Sequence, residues 1–393
     1  MRLKAEEGYI MKRNIIRYGM VGGSLNSFIG RVHKNAINFE VNAMLTAGCF
    51  SSDKSNNLET GDYYHLPTDR VYADYKDMAE KESQRKDKID FVCVVTPNST
   101  HYDIAKEFLL HDINVVCEKP LCSEISQAEE LKKIAFERGL LFAVTYTYSG
   151  YGMVKQAKQL IKEGGIGKVI NVNAEYLQEW LIDSIGSDAS QTAKLSGWRT
   201  DPEIAGISNC VGDIGTHIEN TVAYMTGLRI KRVAAKLDYF NQPLDLNANM
   251  LVEFDNGASG VYSCSQVAVG YANGLTIRIF GTKGSIEWRQ EEPNQLKVTL
   301  KGQPSAIYER GTGYITGRAA QLNRIPSGHP EGYYEAFANV YKTYLGAILK
   351  TINGEKLTAE DLDFPKIEDG VEGVKFIHAV VESAGNDSSW FII

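Results

Sequence analysis

Five short apolar runs, Ile15–Val21, Ala43–Phe50, Phe91–Val95, Asn114–Cys117 and Leu140–Val144, recur along the first part of the chain with helix-length stretches between them. Two parallel strands cannot be joined by a tight hairpin, because the chain must return to the same end of the sheet. Alternation of short apolar strands with long crossovers is therefore the mark of a buried parallel sheet. Ile104, Phe108 and Leu109, and likewise Ala128, Leu131, Ile134 and Ala135, fall at helical spacing inside the crossovers, which gives each one apolar face. The fold class expected is α/β, with a doubly wound parallel sheet over residues 14–148.

The pattern changes after Tyr148. A helix is expected from about Met153 to Glu163, ended by Gly164-Gly165, followed by a strand over Val169–Tyr176. A helix over Asp213–Met225, stopped by Gly227, leads into the strands Val233–Tyr239, Ala248–Phe254, Ala258–Ser265, Leu275–Phe280, Ser285–Arg289 and Leu296–Leu300, with Asn256-Gly257 as the clearest hairpin turn. Closely linked strands call for an open, mainly antiparallel sheet, and a bare sheet face invites a second subunit, so a homodimer or homotetramer through that sheet is expected. Tyr333–Leu349 and Val371–Ser383 read as helices, whereas Leu181–Gly212 and Gly302–Gly332 show no period and count as long loops of the functional or mobile kind. At 393 residues the chain exceeds one ordinary core. A second α/β domain over residues 149–393 is expected for substrate binding and oligomerisation, and residues 1–13 are set aside as a flexible leader, with Met11 as an alternative start to Met1.

Apolar residues at 43% and charged residues at 23% describe a globular chain, and a net charge of −7 without a Lys/Arg stripe offers nothing to nucleic acid or an anionic membrane. No run approaches the roughly 20 apolar residues of a membrane span, and the N-terminus lacks the apolar core of a secretory signal, so a cytoplasmic protein is expected. The six cysteines form no CxxC pair and sit in apolar runs, as reduced, buried thiols do.

The residues that carry chemistry lie where such a fold gathers them. The first strand runs into Gly22-Gly23-Ser24, and a helix begins near Phe28-Ile29-Gly30; glycines there let backbone N–H groups approach a pyrophosphate at the helix N-terminus. The same loop also fits a plain strand-to-helix turn, since GxGxxG is imperfect here. After the second strand, Asp53 suits the adenosine ribose of NAD, while Ser51, Ser52 and Lys54 suit the extra phosphate of NADP, and Asp53 is equally suited to cap a turn. Thr96-Pro97-Asn98 and His101 follow the third strand on the ligand side of the sheet, where Asn98 or Ser99 also serves as a helix cap. The fourth strand delivers Cys117-Glu118-Lys119-Pro120: a carboxylate, an ammonium and a rigid turn together. Asp213 and His217 share a helix face at spacing i, i+4, beside the apolar stripe Ile214, Ile218, Val222 and Met225; such a pair is also a common structural hydrogen bond. With Glu219 they offer a metal only a poor set, because no further His or Cys stands nearby, and no metal is expected. Gln178, Trp180, Trp198, Arg199 and the segment Gly328-His329-Pro330-Glu331-Gly332-Tyr333 supply rings and hydrogen-bonding groups suited to a sugar, although each tryptophan alone is as well explained by packing.

In this combination, Gly22 loop, Thr96-Pro97-Asn98, Glu118-Lys119-Pro120 and Gly212-Asp213-Ile214-Gly215-Thr216-His217, the chain resembles the Gfo/Idh/MocA oxidoreductase family, which includes glucose-fructose oxidoreductase and inositol dehydrogenases, from about Arg17 onward. The resemblance implies an N-terminal Rossmann domain, a C-terminal domain whose open sheet mediates dimers or tetramers, and NAD as cofactor with NADP as the alternative. It places Lys119 and His217 at the catalytic positions, Asp213 against substrate, and Glu118 with Asn98 by the nicotinamide ribose. Gly22, Gly23, Ser24, Phe28, Ile29, Ser51, Asp53, Thr96, Pro97, His101, Trp198 and Arg199 are expected to complete the cofactor site, and Tyr148, Gln178, Trp180 and His329 the substrate site. Phe28-Ile29-Gly30-Arg31-Val32-His33 and the Gly328–Tyr333 segment are similar to a sub-branch of sugar and glycoside dehydrogenases. Ser24 departs from the family glycine, and Tyr146-Thr147-Tyr148 from an Asn-Tyr-type strand end. The expected reaction is reversible oxidation of a secondary hydroxyl, the sugar C3 hydroxyl among the choices, on a cyclic polyol, sugar or glycoside. An NADPH-dependent keto-sugar reductase, a redox-neutral glycoside lyase or hydrolase that uses NAD transiently, and a non-catalytic ligand sensor are the rivals.

Overall fold

The structure, a computed structural model, describes residues 14–186 and 197–393; the expected leader lies outside them. Strands β1 (Ile16–Gly22), β2 (Ala43–Cys49), β3 (Phe91–Val95), β4 (Asn114–Cys117) and β5 (Phe142–Val144) form a parallel sheet in the order β2-β1-β3-β4-β5. A parallel bridge from Gly48 to Val71 extends it beyond β2. The crossovers include helices α1 (Phe28–Ile37), α2 (Lys54–Tyr63), α3 (Tyr75–Gln84), α4 (His101–Leu110) and α5 (Ile125–Arg138). Every residue of β3 is buried, as in a central strand covered on both faces. The strand order reverses between β1 and β3, and a crevice opens there at the carboxyl ends.

One face of this sheet is covered by α3, α4 and α5 through Met78, Ile104, Phe108 and Leu131. The other is covered by α1 and by a helix from much later in the chain, α8 (Tyr333–Ile352). The chain thus returns across the boundary drawn at Tyr148. Without α8 the rings of Tyr18 and Phe91 would face water; instead Phe91 meets Tyr344 edge-on at 5.4 Å, and the Tyr344 hydroxyl donates to the Val115 carbonyl at 3.2 Å. Each such buried ring contributes roughly 1.5–3 kcal/mol, which ties the end of the chain to the first sheet.

The second sheet has nine strands. They are β6 (Val169–Leu177), β7 (Ile230–Asp238), β8 (Asn247–Phe254), β9 (Ser259–Ser265), β10 (Gly274–Gly281), β11 (Gly284–Arg289), β12 (Gln295–Leu300), β13 (Ala306–Glu309) and β14 (Phe391–Ile392), ordered β13-β12-β11-β10-β6-β9-β8-β7-β14. All neighbours are antiparallel except β6 and β9. Alternate residues of β6 to β12 point to a core shared with α6 (Gly152–Lys162), α7 (Thr216–Thr226) and α9 (Ile367–Gly385). The opposite face is uncovered and carries exposed Ile170, Leu251 and Val261. All six cysteines are buried and unpaired, and no helix among the described residues is long and apolar enough to cross a membrane.

Candidate active site

The glycine loop is built for close approach. Gly22 and Gly23 have φ of +80° and +73°, and a Cβ on Gly22 would lie 2.7 Å from the Val95 carbonyl oxygen. A Cβ on Gly30 would lie 2.2 Å from Gly23 Cα, so α1 can press against the loop only with glycine there. Ser27 caps α1 by accepting the Gly30 N–H at 3.2 Å, and the first turn holds no acidic residue. A cavity of about 800 Å³ follows, lined by Gly22, Gly23, Ser24, Phe28, Ile29, Ser51, Thr96 and Pro97. Crowded glycines, a helix N-terminus and a large cleft at the strand-order reversal fit a dinucleotide.

Two expected cofactor residues also hold local structure together. Asp53 is the N-cap of α2, accepting the Asn56 N–H at 2.7 Å, and does not line the cavity, whereas Ser51 and Ser52 do. Its carboxylate is engaged with its own helix, which is the capping alternative. His101 is wholly buried, with Nδ1 2.9 Å from the Pro120 carbonyl and Nε2 2.8 Å from that of Thr96. It ties the ends of β3 and β4 together at the cavity wall. Asn98 donates to the Ala205 carbonyl at 3.1 Å, bracing the crevice against the second half of the chain, and leaves α4 without a side-chain cap.

A second cavity, of about 420 Å³, continues from the first through shared Phe28, Ile29, Thr96, Trp198 and Arg199. Glu118 and Lys119 enter it from the end of β4, and Asp213 and His217 from the opposite side. The expected regular helix there begins instead with a π turn, Val211–Gly215, before α7. Such wide turns recur at functional sites because they re-aim backbone and side-chain groups. At this one, Lys119 Nζ donates to both the Asp213 carbonyl at 2.7 Å and its Oδ1 at 2.8 Å.

The other Asp213 oxygen accepts from Gln266 Nε2 at 3.0 Å. Asn209 Nδ2 donates to Gln266 Oε1 at 2.6 Å, and the buried Asp245 carboxylate accepts the Asn209 and Val211 N–H groups at 2.9 and 3.0 Å. Gln266, Asn209 and Asp245 carried no local sequence signal; they are assembled by the fold. Burial works to raise the Asp213 pKa, yet Lys119 and Arg199 outweigh it and hold the carboxyl at about 2.

The His217 ring is packed by Tyr148, Tyr146 and Tyr176 at centroid distances of 4.7, 5.8 and 6.2 Å. Burial, reinforced by the Lys119 charge, pushes its pKa down to about 3, so the imidazole is neutral. Nδ1 is buried without a hydrogen-bond partner among the described residues. The Tyr148 hydroxyl donates to that of Tyr176, which donates to Asn273 Oδ1 at 2.6 Å; Gln178 Nε2 donates to the same oxygen at 2.8 Å. Tyr148 and Gln178 therefore line the cavity, together with Tyr176 and Asn273.

Trp180 is exposed and outside the cavity lining, its Nε1 donating to Gln178 Oε1 at 3.0 Å. His329 is exposed and lines neither cavity; its carbonyl is held by Arg310. Trp198 and Arg199 lie against both cavities, with the guanidinium 5.0 Å from the indole centroid. Part of the long segment Leu181–Gly212, residues 187–196, lies outside the described residues.

Glu118 is held by two side chains. Its Oε1 lies 2.7 Å from His33 Nε2 and also accepts from Thr145; His33 Nδ1 lies 2.6 Å from the Tyr341 hydroxyl and 3.1 Å from Cys93 Sγ. His33 is wholly buried. Burial opposes its charge, but Cys93 and Glu118 outweigh burial and raise its pKa above the ordinary imidazole value. Burial likewise opposes ionisation of Glu118, and His33 with Lys119 outweighs it, lowering that pKa.

Residues 16–146 match the oxidoreductase family model with an NAD-binding Rossmann fold, and residues 154–287 match the GFO/IDH/MocA C-terminal domain. The oxidoreductase YfiI of Bacillus subtilis is 34% identical over 380 residues, covering 95% of this chain and 96% of its own length. The chain belongs to the Gfo/Idh/MocA oxidoreductase family. A further Gfo/Idh/MocA relative of this chain, the levoglucosan dehydrogenase of Pseudarthrobacter phenanthrenivorans, is 27% identical over 76% of this chain and 79% of its own. An inositol dehydrogenase homologue of Azotobacter vinelandii, solved with NAD+, superposes with a TM-score of 0.89 at 35% identity, covering 98% of each chain. The same homologue solved with NADH and myo-inositol gives 0.86 at 34% identity, covering 97% of this chain and 99% of its own. Residues 16–146 are an NAD-binding Rossmann domain, and the protein is an NAD(P)-dependent dehydrogenase.

Proposed function

We propose that the protein reversibly oxidises a secondary hydroxyl of a cyclic polyol, sugar or glycoside. The observation that carries this reading is the meeting of Lys119, Asp213 and a neutral His217 in one cavity continuous with the dinucleotide cleft. NAD, when bound by the Gly22 loop, supplies the two-electron acceptor for the carbon that is oxidised. The chain's own task is the hydroxyl proton. The neutral imidazole, which lines this cavity, has a ring lone pair to offer, so His217 accepts the hydroxyl proton. Lys119 donates to the same oxygen and stabilises the negative charge that develops on it. Asp213, held on two sides by Lys119 and Gln266, orients that ammonium and accepts a hydrogen bond from a neighbouring hydroxyl. Relatives that bear names of polyol and sugar dehydrogenases, and a structural neighbour solved with myo-inositol, support this substrate class.

Mixing the protein with excess NAD and separate pools of inositols, free hexoses and glycosides, while following reduced nicotinamide by absorbance, tests the reading. A rise with one pool is expected. No rise with any pool, when NAD binding is intact, would turn the assignment toward a reductase working from NADPH, a redox-neutral lyase or a sensor. The uncovered face bearing Ile170, Leu251 and Val261 is proposed as the subunit interface, and light scattering on the eluted protein is expected to give a dimer or tetramer.

A further inference from the structure

The substrate cavity does not end at the tyrosines. On the side away from the dinucleotide cleft it shares Asn273, Gln290 and Tyr333 with a third cavity of about 630 Å³, which opens to solvent. The three spaces form a series: the dinucleotide cleft, the cavity of Lys119 and His217, then the outer cavity. Asn273 and Gln290 make the shared wall, where Asn273 Nδ2 donates to Gln290 Oε1 at 3.1 Å and Gln290 Nε2 donates to the Tyr151 hydroxyl at 3.3 Å. A molecule reacting beside His217 therefore has the cofactor on one side and open, hydrogen-bonding space on the other.

The outer cavity is rigidly built. Its floor is fixed by the buried Arg310, which donates to Glu331 Oε1 at 2.9 Å and to Asn294 Oδ1 at 2.9 Å, while Glu331 also accepts the Arg324 N–H at 2.7 Å. Glu291 Oε1 accepts the Asn273 N–H at 3.0 Å, joining the outer wall to the shared one. Among the described residues no Lys or Arg lines it; carboxylates, amides, two prolines and the rings of Tyr151 and Tyr333 do. Carboxylate and amide oxygens receive hydroxyl groups, flat apolar surfaces receive the C–H face of a ring, and acidic walls repel anions. That chemistry suits a neutral, polyhydroxylated ring.

We propose that the outer cavity is a second sugar subsite, and that the substrate is a neutral disaccharide or glycoside whose distal ring sits there while the proximal ring is oxidised beside His217. This rests on the dehydrogenase reading above and narrows it. The floor residues are braced before any ligand arrives, so little ordering cost opposes binding of the distal ring.

The test compares kcat/KM of the full-length protein for methyl β-glucoside, myo-inositol, cellobiose, maltose and trehalose with NAD, in the parent and in Glu292→Trp. Glu292 is exposed on the lining of the outer cavity, so an indole there fills that space. At least one disaccharide is expected to exceed the one-ring compounds by about tenfold or more, a difference of roughly 1.4 kcal/mol. Glu292→Trp is expected to lower that ratio toward one. One-ring compounds oxidised as well as every disaccharide, or a variant that lowers both classes equally, would overturn the second subsite while leaving the dehydrogenase reading standing. If nothing is oxidised, calorimetric titration of the same sugars into the NADH-loaded protein separates the two ideas. Disaccharide binding that Glu292→Trp weakens would keep the subsite without the dehydrogenase reading; absence of binding would overturn the subsite as well.

Discussion

Replacing His33 by leucine removes the partner of Glu118 from the interior while nearly keeping the volume. His33 is wholly buried and Glu118 only 9% exposed, so the remaining carboxylate would keep Thr145 as its hydrogen-bond donor and lose the 2.7 Å contact to the ring. Breaking a buried pair by removing one member costs about 3–5 kcal/mol, because an uncompensated charge stays behind. For a chain of this length that corresponds to a fall in thermal midpoint of about 4–6 °C. Glu118→Gln alone should also destabilise, whereas His33→Leu combined with Glu118→Gln should cost less than the two single changes summed, since the double variant leaves no orphan charge.

The pH dependence of that cost follows from the two shifts. The pKa of His33 is raised in the folded protein, so its contribution is fully present below the ordinary value of 6.5 and fades as pH rises toward its folded value. That of Glu118 is lowered, so its contribution is fully present above the ordinary 4.5 and fades as pH falls toward its folded value. The difference between parent and His33→Leu should therefore be greatest between those two ordinary values and shrink on either side. Differential scanning calorimetry across the pH range reads it directly. A midpoint change under about 1 °C, which is less than about 1 kcal/mol, or strict additivity in the double variant, would refute a charged buried pair.

Other outcomes follow from single contacts. Gln266→Leu leaves Asp213 Oδ2 without its 3.0 Å donor, and turnover should fall about tenfold with NAD affinity unchanged, a loss of roughly 1.4 kcal/mol; the KM and kcat split checks it. Asp53→Ala removes the α2 cap and should cost about 1 kcal/mol of stability without weakening NAD in a binding titration. Because His217 is held near 3 by burial and Lys119, it is already a proton acceptor well below neutrality. The profile of kcat/KM against pH should then lack an acid limb near the ordinary histidine value, about 6.5.

Much of this was legible along the chain, and the reasons differ by residue. The strands β1 to β5 follow from apolar runs that periodicity alone identifies, and Glu118, Lys119, Asp213 and His217 sit on short motifs whose order survives folding. Asp53 was ambiguous because a helix cap and a ribose ligand call for the same side chain; in the fold it caps α2. Trp180 and His329 had suitable chemistry but no pattern that fixes direction, and both point outside the cavities. Gln266, Asn209 and Asp245 come from separate segments joined only in the folded sheet, and the parallel pairing of β6 with β9 is likewise non-local. The amphipathic period of α8 announced a helix without saying which sheet it would cover.

The proposed division of labour gives the hydroxyl proton and oxygen to Lys119 and His217 and the cofactor to the Gly22 loop. Turnover and calorimetric NAD binding measured side by side on Lys119→Ala and His217→Ala test it. Each variant is expected to lose about a hundredfold or more in kcat while NAD binds within about threefold of the parent, less than roughly 1 kcal/mol. Near-parental turnover in either variant would rule out that division.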